Sequence, residues 1–162
     1  VVYPAARVAL PTVRGVADLV TDLSRDWPIV PEIIQDPALK RAAFAAADVA
    51  IAASGTVSLE LAANGCPMVI AYDMHPLTLW LMRRAALIDT VTLVNLVSDT
   101  RVVPEFIGAN CRADLIAPAV LALLQGAGDQ QAAMALTMQR LGQDGTPPGL
   151  RAAQSVLDFL KI

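Results

Sequence analysis

The segment from Asp48 to Pro76 constrains the fold of this chain more than any other part of the sequence. The apolar run Val49–Ala53 predicts a strand, a small polar turn follows at residues 54–56, and helical spacing then predicts a helix. A second apolar run, Pro67–Tyr72, predicts the next strand. This pattern is one strand–turn–helix–strand unit, and ligands of open α/β sheets bind at the carboxyl ends of such strands.

The turn itself consists of Ser54, Gly55 and Thr56. The first N–H groups of a helix lack intrahelical partners and lie at the positive end of its dipole, so such a turn can hold a diphosphate. Glu60 lies about 6 Å further along the helix axis, where its carboxylate could accept hydrogen bonds from sugar hydroxyls. The alternative is an ordinary turn in which Ser54 or Thr56 caps the helix and Glu60 only offsets the dipole. The motif alone leaves both interpretations open.

Composition indicates one α/β domain with a substantial core. The chain has 162 residues, of which 56% are hydrophobic and 17% charged, against about 45–50% and 25% in average proteins. The net charge of −3 gives no basic footprint, so no nucleic-acid partner is predicted. Cys66 and Cys111 lack metal-binding or redox spacing and are predicted to be buried free thiols. No cofactor and no metal site is predicted.

Further elements are predicted on both sides of this unit. Additional strands are predicted at Val1–Tyr3, Ile29–Ile34 and Val91–Val94. Helices are predicted at Val13–Leu23, Pro37–Ala47, His75–Ile88, Ala113–Leu124, Gln130–Leu141 and Leu150–Leu160. Strands and helices alternate up to residue 94, which indicates βαβ units and a parallel sheet, and no strand is predicted beyond that point. Because the sequence starts without Met inside an apolar strand pattern, we expect a fragment or trimmed piece of a longer protein.

Four blocks of the sequence together resemble the C-terminal half of lipid-A-disaccharide synthases, a family of GT-B glycosyltransferases. They occur in the family's order and near-family spacing: ADVAIAASGTVSLELAANGCPMVIAY, HPLTLWLMRR, VTLVNLV and RVVPEF. The resemblance implies a Rossmann-like parallel sheet flanked by helices, one half of a GT-B fold, with a helical C-terminal region. It divides the chain into a donor-binding domain at residues 1–125, lacking its first strand, and C-terminal helices at residues 126–162. By the resemblance, we expect the family's N-terminal acceptor domain to lie outside this chain.

The resemblance also implies a reaction. The parent protein would transfer 2,3-diacylglucosamine from UDP-2,3-diacylglucosamine to 2,3-diacylglucosamine 1-phosphate in lipid A biosynthesis. Because the acceptor domain supplies the family's catalytic base and positions the acceptor, we expect this chain alone to be inactive. The parent would be a peripheral protein on the cytoplasmic face of the inner membrane of a Gram-negative bacterium, and a homodimer stays open.

Carried over to this sequence, the family's donor site implies seven UDP-binding residues. They are Ser54, Gly55, Thr56, Glu60, Asn95, Arg101 and Glu105. Asn95 matches an asparagine needed for activity and is the catalytic candidate. Read without the family, Asn95 is a turn residue that ends a strand, and Arg101 and Glu105 belong to a solvated face.

The sequence departs from the family's pattern at three places. Asp73 stands where the family has a basic residue, Gly108 replaces a glutamine, and Val94 precedes Asn95 where the family has proline. Two alternatives stay open. Another GT-B UDP-sugar transferase or an epimerase could share the glycine turn and the glutamate, and the departures at Asp73 and Gly108 support a non-catalytic nucleotide-binding scaffold domain. His75, the single histidine, is interpreted as a loop or helix-start residue and not as a general base.

The helix predicted from residue 75 carries a second candidate surface. Apolar and basic side chains recur on one face at helical spacing: Leu77, Trp80, Leu81 and Arg84. Core packing is the usual explanation of such a face. The functional alternative places Trp80, Arg83 and Arg84 in the cleft or at the membrane surface, because both implied substrates carry acyl chains.

Overall fold

The structure, a computed structural model, describes residues 6–85 and 88–160. The chain divides into two compact units, Val1–Ala47 and Asp48–Ile162. Strands pair in parallel in both units, in one two-stranded and one three-stranded sheet, and helices flank them. The predicted α/β class with parallel strands is confirmed.

The described part of the first unit, residues 6–47, contains two strands and two α-helices. Strand β1 (Ala9–Pro11) pairs in parallel with β2 (Glu32–Ile34), and helices α1 (Ala17–Ser24) and α2 (Pro37–Ala46) follow them. Asp36 begins α2, because its carboxylate accepts hydrogen bonds from the N–H groups of residues 38 and 39 at 2.7 and 3.0 Å. Pro37 is the first residue of α2. Proline is tolerated there because the N–H group that it lacks would have no partner within the helix.

Three elements predicted for this unit differ from the structure or lie outside the described residues. The strand predicted at Val1–Tyr3 lies outside the described residues. The helix predicted from Val13 begins with a 3₁₀ turn at Arg14–Val16, and its α-helical part starts only at residue 17. The predicted strand Ile29–Ile34 is confined to β2, which begins directly after Pro31, a residue that cannot donate to a strand ladder. Strand β1 was not predicted, because three residues ending in proline carry no alternating pattern.

The second unit is built on three parallel strands in the order β3–β4–β5. They are β3 (Ala50–Ala52), β4 (Met68–Tyr72) and β5 (Glu105–Ile107). The central strand β4 forms the core, since its first three side chains are completely buried. A continuous apolar run is what a parallel strand covered on both faces requires. The sheet therefore holds the carboxyl ends of β3 and β5 on either side of a rigid central strand.

Six α-helices of this unit are described. They are α3 (Val57–Ala63), α4 (Pro76–Ala85), α5 (Leu93–Ser98), α6 (Ala113–Gln125), α7 (Gly128–Leu141) and α8 (Pro148–Leu160). A 3₁₀ turn, Gly108–Asn110, follows β5. All of the helices predicted after residue 54 are present with small shifts at their ends.

The predicted strand Val91–Val94 is wrong. Its last two residues lie in the short helix α5, and Thr92 is the extended residue before that helix. A short apolar run cannot be assigned to strand or helix by periodicity alone. The prediction of no strand after residue 94 is also wrong, because β5 lies at Glu105–Ile107 between a proline and a glycine. Asn95 consequently lies inside a helix and not at the end of a strand.

Helix α7 is fastened to the sheet by a buried glutamine. Gln130 accepts a hydrogen bond from Met68 N–H at 2.7 Å and donates one to Met68 C=O at 2.9 Å. It thus pairs with both backbone groups of the first residue of β4, as a neighbouring strand would. Arg140 donates to the C=O of Val97 in α5 at 2.6 Å, and α7 packs against α3 and α5. The division at residue 125 into a donor-binding part and C-terminal helices stays a prediction.

Candidate functional site

The turn between β3 and α3 has an unusual backbone and no side-chain cap. Gly55 has φ +139°, a conformation that side-chain-bearing residues rarely adopt, so glycine is required here. Thr56 is the residue before α3, is exposed and makes no capping hydrogen bond. The buried Ser58 instead donates from its hydroxyl to Gly55 C=O at 2.9 Å. The turn is thus held from inside the fold, and the alternative of a helix capped by Ser54 or Thr56 is wrong.

Ser54 joins this turn to a second segment. Its hydroxyl donates to the C=O of Val91 at 2.9 Å. Val91 belongs to the segment Asp89–Thr92, here called the 89–92 loop, which leads directly into α5. The hydrogen bond ties the turn after β3 to residues that lie 37 positions later in the chain.

Glu105 holds the other side of the 89–92 loop. One of its carboxylate oxygens accepts hydrogen bonds from Val91 N–H at 3.1 Å and Thr92 N–H at 2.9 Å. The same oxygen accepts from the hydroxyl of Thr90. Thr92 does not cap α5 with its own hydroxyl, so the Glu105 carboxylate supplies the negative group that favours a helix N-terminus. Glu105 is half-buried, and its assignment to a solvated face is wrong.

Asn95 is enclosed in the same cluster. Its side chain is 1% exposed. The amide N–H donates to Val103 C=O at 2.9 Å and the amide oxygen accepts from Val103 N–H at 3.0 Å. The amide nitrogen also lies 3.3 Å from Thr90 Oγ1 and 3.4 Å from Glu105 Oε1. Asn95 therefore stabilises the approach to β5, and its interpretation as a turn residue ending a strand is wrong.

Arg101 closes the outer side of the cluster. Its guanidinium makes a two-bond contact with Asp89, in which Nε lies 3.1 Å from Oδ2 and Nη2 contacts Oδ1. This contact lowers the pKa of Asp89, chiefly through the hydrogen bond. A further N–H of the guanidinium donates to the C=O of Thr100. Arg101 is partly exposed but paired, so it fastens Asp89 at the start of the 89–92 loop.

Four of the seven predicted site residues thus meet at the 89–92 loop: Ser54, Asn95, Arg101 and Glu105. Glu60 lies in the first turn of α3 and is exposed, like Thr56. The loop residues Asp89, Thr90 and Val91 were not predicted. Val91 contacts Ser54 and Glu105 through its backbone atoms, which carry no residue-type signal. Threonine is a residue type favoured at helix N-termini, so Thr92 was the available signal for a helix there, although its hydroxyl makes no capping hydrogen bond.

The comparisons with known proteins decide the family. A family model described as lipid-A-disaccharide synthetase matches residues 29–154. Relatives named lipid-A-disaccharide synthase are 55% identical over 166 residues in Ruegeria pomeroyi and 42% identical over 161 residues in Rhodospirillum centenum. The chain belongs to the lipid-A-disaccharide synthase family. Each alignment covers 98% of this chain but only 41% and 40% of the relative, so the chain spans about two fifths of their length.

One departure from the lipid-A-disaccharide synthase pattern has a visible structural setting. Gly108 has φ +58°, and a Cβ atom there would lie 2.6 Å from Cδ2 of Leu79 in α4. A side chain at this position would be strained and would displace Leu79. Asp73 is exposed after β4, where nothing in the structure explains its difference from the family. His75 accepts a hydrogen bond from Leu77 N–H at 3.3 Å, as expected of a helix-start residue.

Helix α4 presents its apolar side chains outward. Leu77, Trp80 and Leu81 are 60%, 51% and 55% exposed, so core packing does not account for this face in the chain. Leu79, outside the predicted stripe, is the residue that lies against Gly108. The Arg84 guanidinium stacks 4.9 Å above the Trp80 ring, a cation–π contact. The side chain of Arg83 lies outside what the structure describes.

The remaining predictions concern metals, membranes and thiols. In the described ranges, 6–85 and 88–160, no three His, Cys, Asp or Glu side chains are grouped as a metal ion would need. Across those same residues, no helix has the length and apolar character to cross a bilayer. Cys66 is buried and free, and burial raises its pKa to about 11. Cys111 is free but only half-buried, so the prediction of a buried thiol is correct for Cys66 alone.

Proposed function

We propose that the chain is the donor-nucleotide-binding half of a lipid-A-disaccharide synthase. In the full-length protein it holds UDP-2,3-diacylglucosamine while the sugar passes to 2,3-diacylglucosamine 1-phosphate and UDP leaves. The observation that carries the proposal is the uncapped turn of Gly55 and Thr56 after β3, beside the exposed Glu60, in a chain of this family. Ligands of open α/β sheets bind at this strand edge.

The chemistry of the turn suits a diphosphate. Phosphate oxygens accept hydrogen bonds, so they need donors. Ser54 already directs its hydroxyl hydrogen to Val91 C=O, which leaves the Thr56 hydroxyl and backbone N–H groups as the donors at this turn. Gly55 has no Cβ, and no atom outside residues 54–56 lies within 4 Å of where one would stand, so a ligand can approach its backbone closely. As the bond to the anomeric carbon breaks, these donors stabilise the charge that develops on the leaving UDP.

Glu60 takes the sugar side of the nucleotide in this proposal. It lies one helical turn from Thr56 and is exposed. Its carboxylate accepts hydrogen bonds from the ribose hydroxyls, an interaction in which a charged acceptor is stronger than a neutral one.

Nucleotide titration calorimetry tests the proposal. We expect the chain to bind UDP more tightly than ADP or GDP. Thr56→Val, which keeps the side-chain shape and removes the hydroxyl, should weaken UDP binding by roughly tenfold or more. Thr21→Val is the matched control, because the Thr21 hydroxyl only donates to Ala17 C=O in α1. Equal affinity for all three nucleotides would instead support the scaffold alternative. A product other than UDP from the full-length protein would support a different transferase or an epimerase.

The exposed face of α4 supports a second proposal, contact with lipid. We place Leu77, Trp80 and Leu81 against acyl chains or the headgroup region of the membrane, with Arg83 and Arg84 near lipid phosphates. Tryptophan favours the boundary between water and hydrocarbon, and arginine can bury its stem while its charged end meets a phosphate. Because the family's lipid substrates carry acyl chains, this contact would set the full-length protein on the cytoplasmic face of the inner membrane as a peripheral protein.

A further inference from the structure

We propose that Asn95 and Glu105 are positioning residues, which fix the 89–92 loop and through it Ser54, and do not themselves contact the nucleotide. The inference rests on the proposed UDP site, whose turn contains Ser54. The contacts of Asn95 and Glu105 indicate a positioning role, whereas the family resemblance places both residues among those that bind UDP.

The Asn95 side chain has no free donor for a ligand, and its oxygen already accepts one hydrogen bond inside the fold. Its amide makes a reciprocal pair with the N–H and C=O of Val103, at 3.0 and 2.9 Å. The second amide hydrogen faces Thr90 Oγ1 and Glu105 Oε1. With 1% of the side chain exposed, a nucleotide could reach it only after α5 moved.

Glu105 connects a rigid strand to the loop. It is the first residue of β5 and lies opposite Ile70, a fully buried residue of β4. Its carboxylate accepts hydrogen bonds from three consecutive residues, Thr90, Val91 and Thr92. Hydrogen bonds to a charged acceptor are about twice as strong as neutral ones, so the sheet fixes the path of the loop.

Val91 connects Glu105 to the turn after β3. Its N–H is held by Glu105 at 3.1 Å, and its C=O is held by the Ser54 hydroxyl at 2.9 Å. The two ends of one peptide-linked residue are therefore bound to β5 and to the turn after β3. Loss of Glu105 frees Val91, and Ser54 then loses the acceptor that fixes its side chain next to Gly55.

Amide hydrogen exchange followed by NMR, without ligand, tests the first half of the proposal. In Glu105→Ala we expect the N–H groups of Val91 and Thr92 to exchange roughly tenfold faster or more. Glu105→Gln keeps one acceptor oxygen and should restore much of the protection. Asp114→Ala is the matched control, because Asp114 is an exposed acid in the first turn of α6 that pairs with Arg112. Unchanged exchange at both N–H groups in Glu105→Ala would overturn the proposal.

A double-substitution cycle in UDP affinity tests the second half. Ser54→Ala and Glu105→Ala should each weaken UDP binding, and the double variant should be no weaker than the weaker single variant, because both break the same chain of contacts. Additive losses would show that Glu105 contacts UDP directly. Unchanged affinity in Glu105→Ala, with faster exchange at Val91, would show a purely structural role, and either result overturns the proposal.

Asn95 is tested by Asn95→Asp, which retains the oxygen that accepts from Val103 N–H and so protects the fold better than alanine. It removes the donor to Val103 C=O and places a second carboxylate beside Glu105. We expect faster exchange at Val91 and Thr92 together with weaker UDP binding. Exchange rates and UDP affinity equal to those of the unmodified chain would overturn the positioning role of Asn95. If the unmodified chain binds no nucleotide, the proposed function fails, and the exchange measurements alone decide whether the two residues hold the loop.

Discussion

The attachment of α7 to the sheet gives a sharp test of the fold that carries the site. Gln130 is 2% exposed, and its substitution by alanine removes hydrogen bonds of 2.7 and 2.9 Å to Met68. Both backbone groups of Met68, a residue with no exposed surface, then lack this partner. Each unsatisfied buried group costs about 1–3 kcal/mol. The free energy of unfolding should therefore fall by about 2–6 kcal/mol, a large part of the total of about 5–15 kcal/mol for a domain.

Urea unfolding followed by circular dichroism measures this change. Gln131→Ala is the matched control, because it makes the same substitution at the next, exposed position of α7 and should change stability by within about 0.5 kcal/mol. Gln130→Leu separates hydrogen bonding from volume, since leucine fills the space without pairing with Met68. If Gln130→Ala and Gln131→Ala lower stability equally, or if Gln130→Leu restores it fully, the backbone pairing does not hold α7.

Three further predictions concern function. Glu60→Gln should weaken UDP binding in calorimetry while changing stability by within about 0.5 kcal/mol; normal binding with a much lower melting temperature would make Glu60 structural. Replacing Arg83 and Arg84 together by serine in the full-length protein should reduce co-sedimentation with anionic vesicles, more so at low salt, and unchanged co-sedimentation would remove α4 from the lipid proposal. The chain alone, given both diacylated sugars, should release no UDP in a coupled assay; turnover of about 1 per second or faster would refute its assignment as half of an enzyme.

The strand–turn–helix–strand unit was predictable because its signals are local. The apolar run before residue 54, the polar turn and the glycine at position 65 each act within a few residues, and Gly65 indeed ends α3 with φ +66°. Short elements were not predictable. The strands β1 and β5 have three residues each, too few to show alternation. The run at 91–94 carries the same residue types as a strand, but its last two residues lie in α5, which packs against α7.

The candidate site was predicted as a set of residues but not as a mechanism. Ser54 was predicted from the turn pattern, and Asn95, Arg101 and Glu105 from the resemblance. The structure brings all four to the 89–92 loop. Their partners are mainly backbone groups of Val91, Thr92 and Val103, which no residue type reveals. The sequence identified the apolar face of α4 but could not show whether it is exposed, because an apolar stripe at helical spacing looks the same whether it is buried or not.

The contacts of Asn95 change what its substitution would mean. A loss of activity on removing a polar residue is often taken as evidence that the residue touches the substrate. Here the amide is enclosed and paired with Val103, and its neighbour Glu105 binds the loop that anchors Ser54. Removing either residue therefore disturbs the proposed diphosphate turn indirectly, through the 89–92 loop and Ser54. Substitution therefore separates a positioning role from direct binding only when UDP affinity and loop protection are measured together, because a residue that touches UDP alone would alter affinity and leave loop protection unchanged.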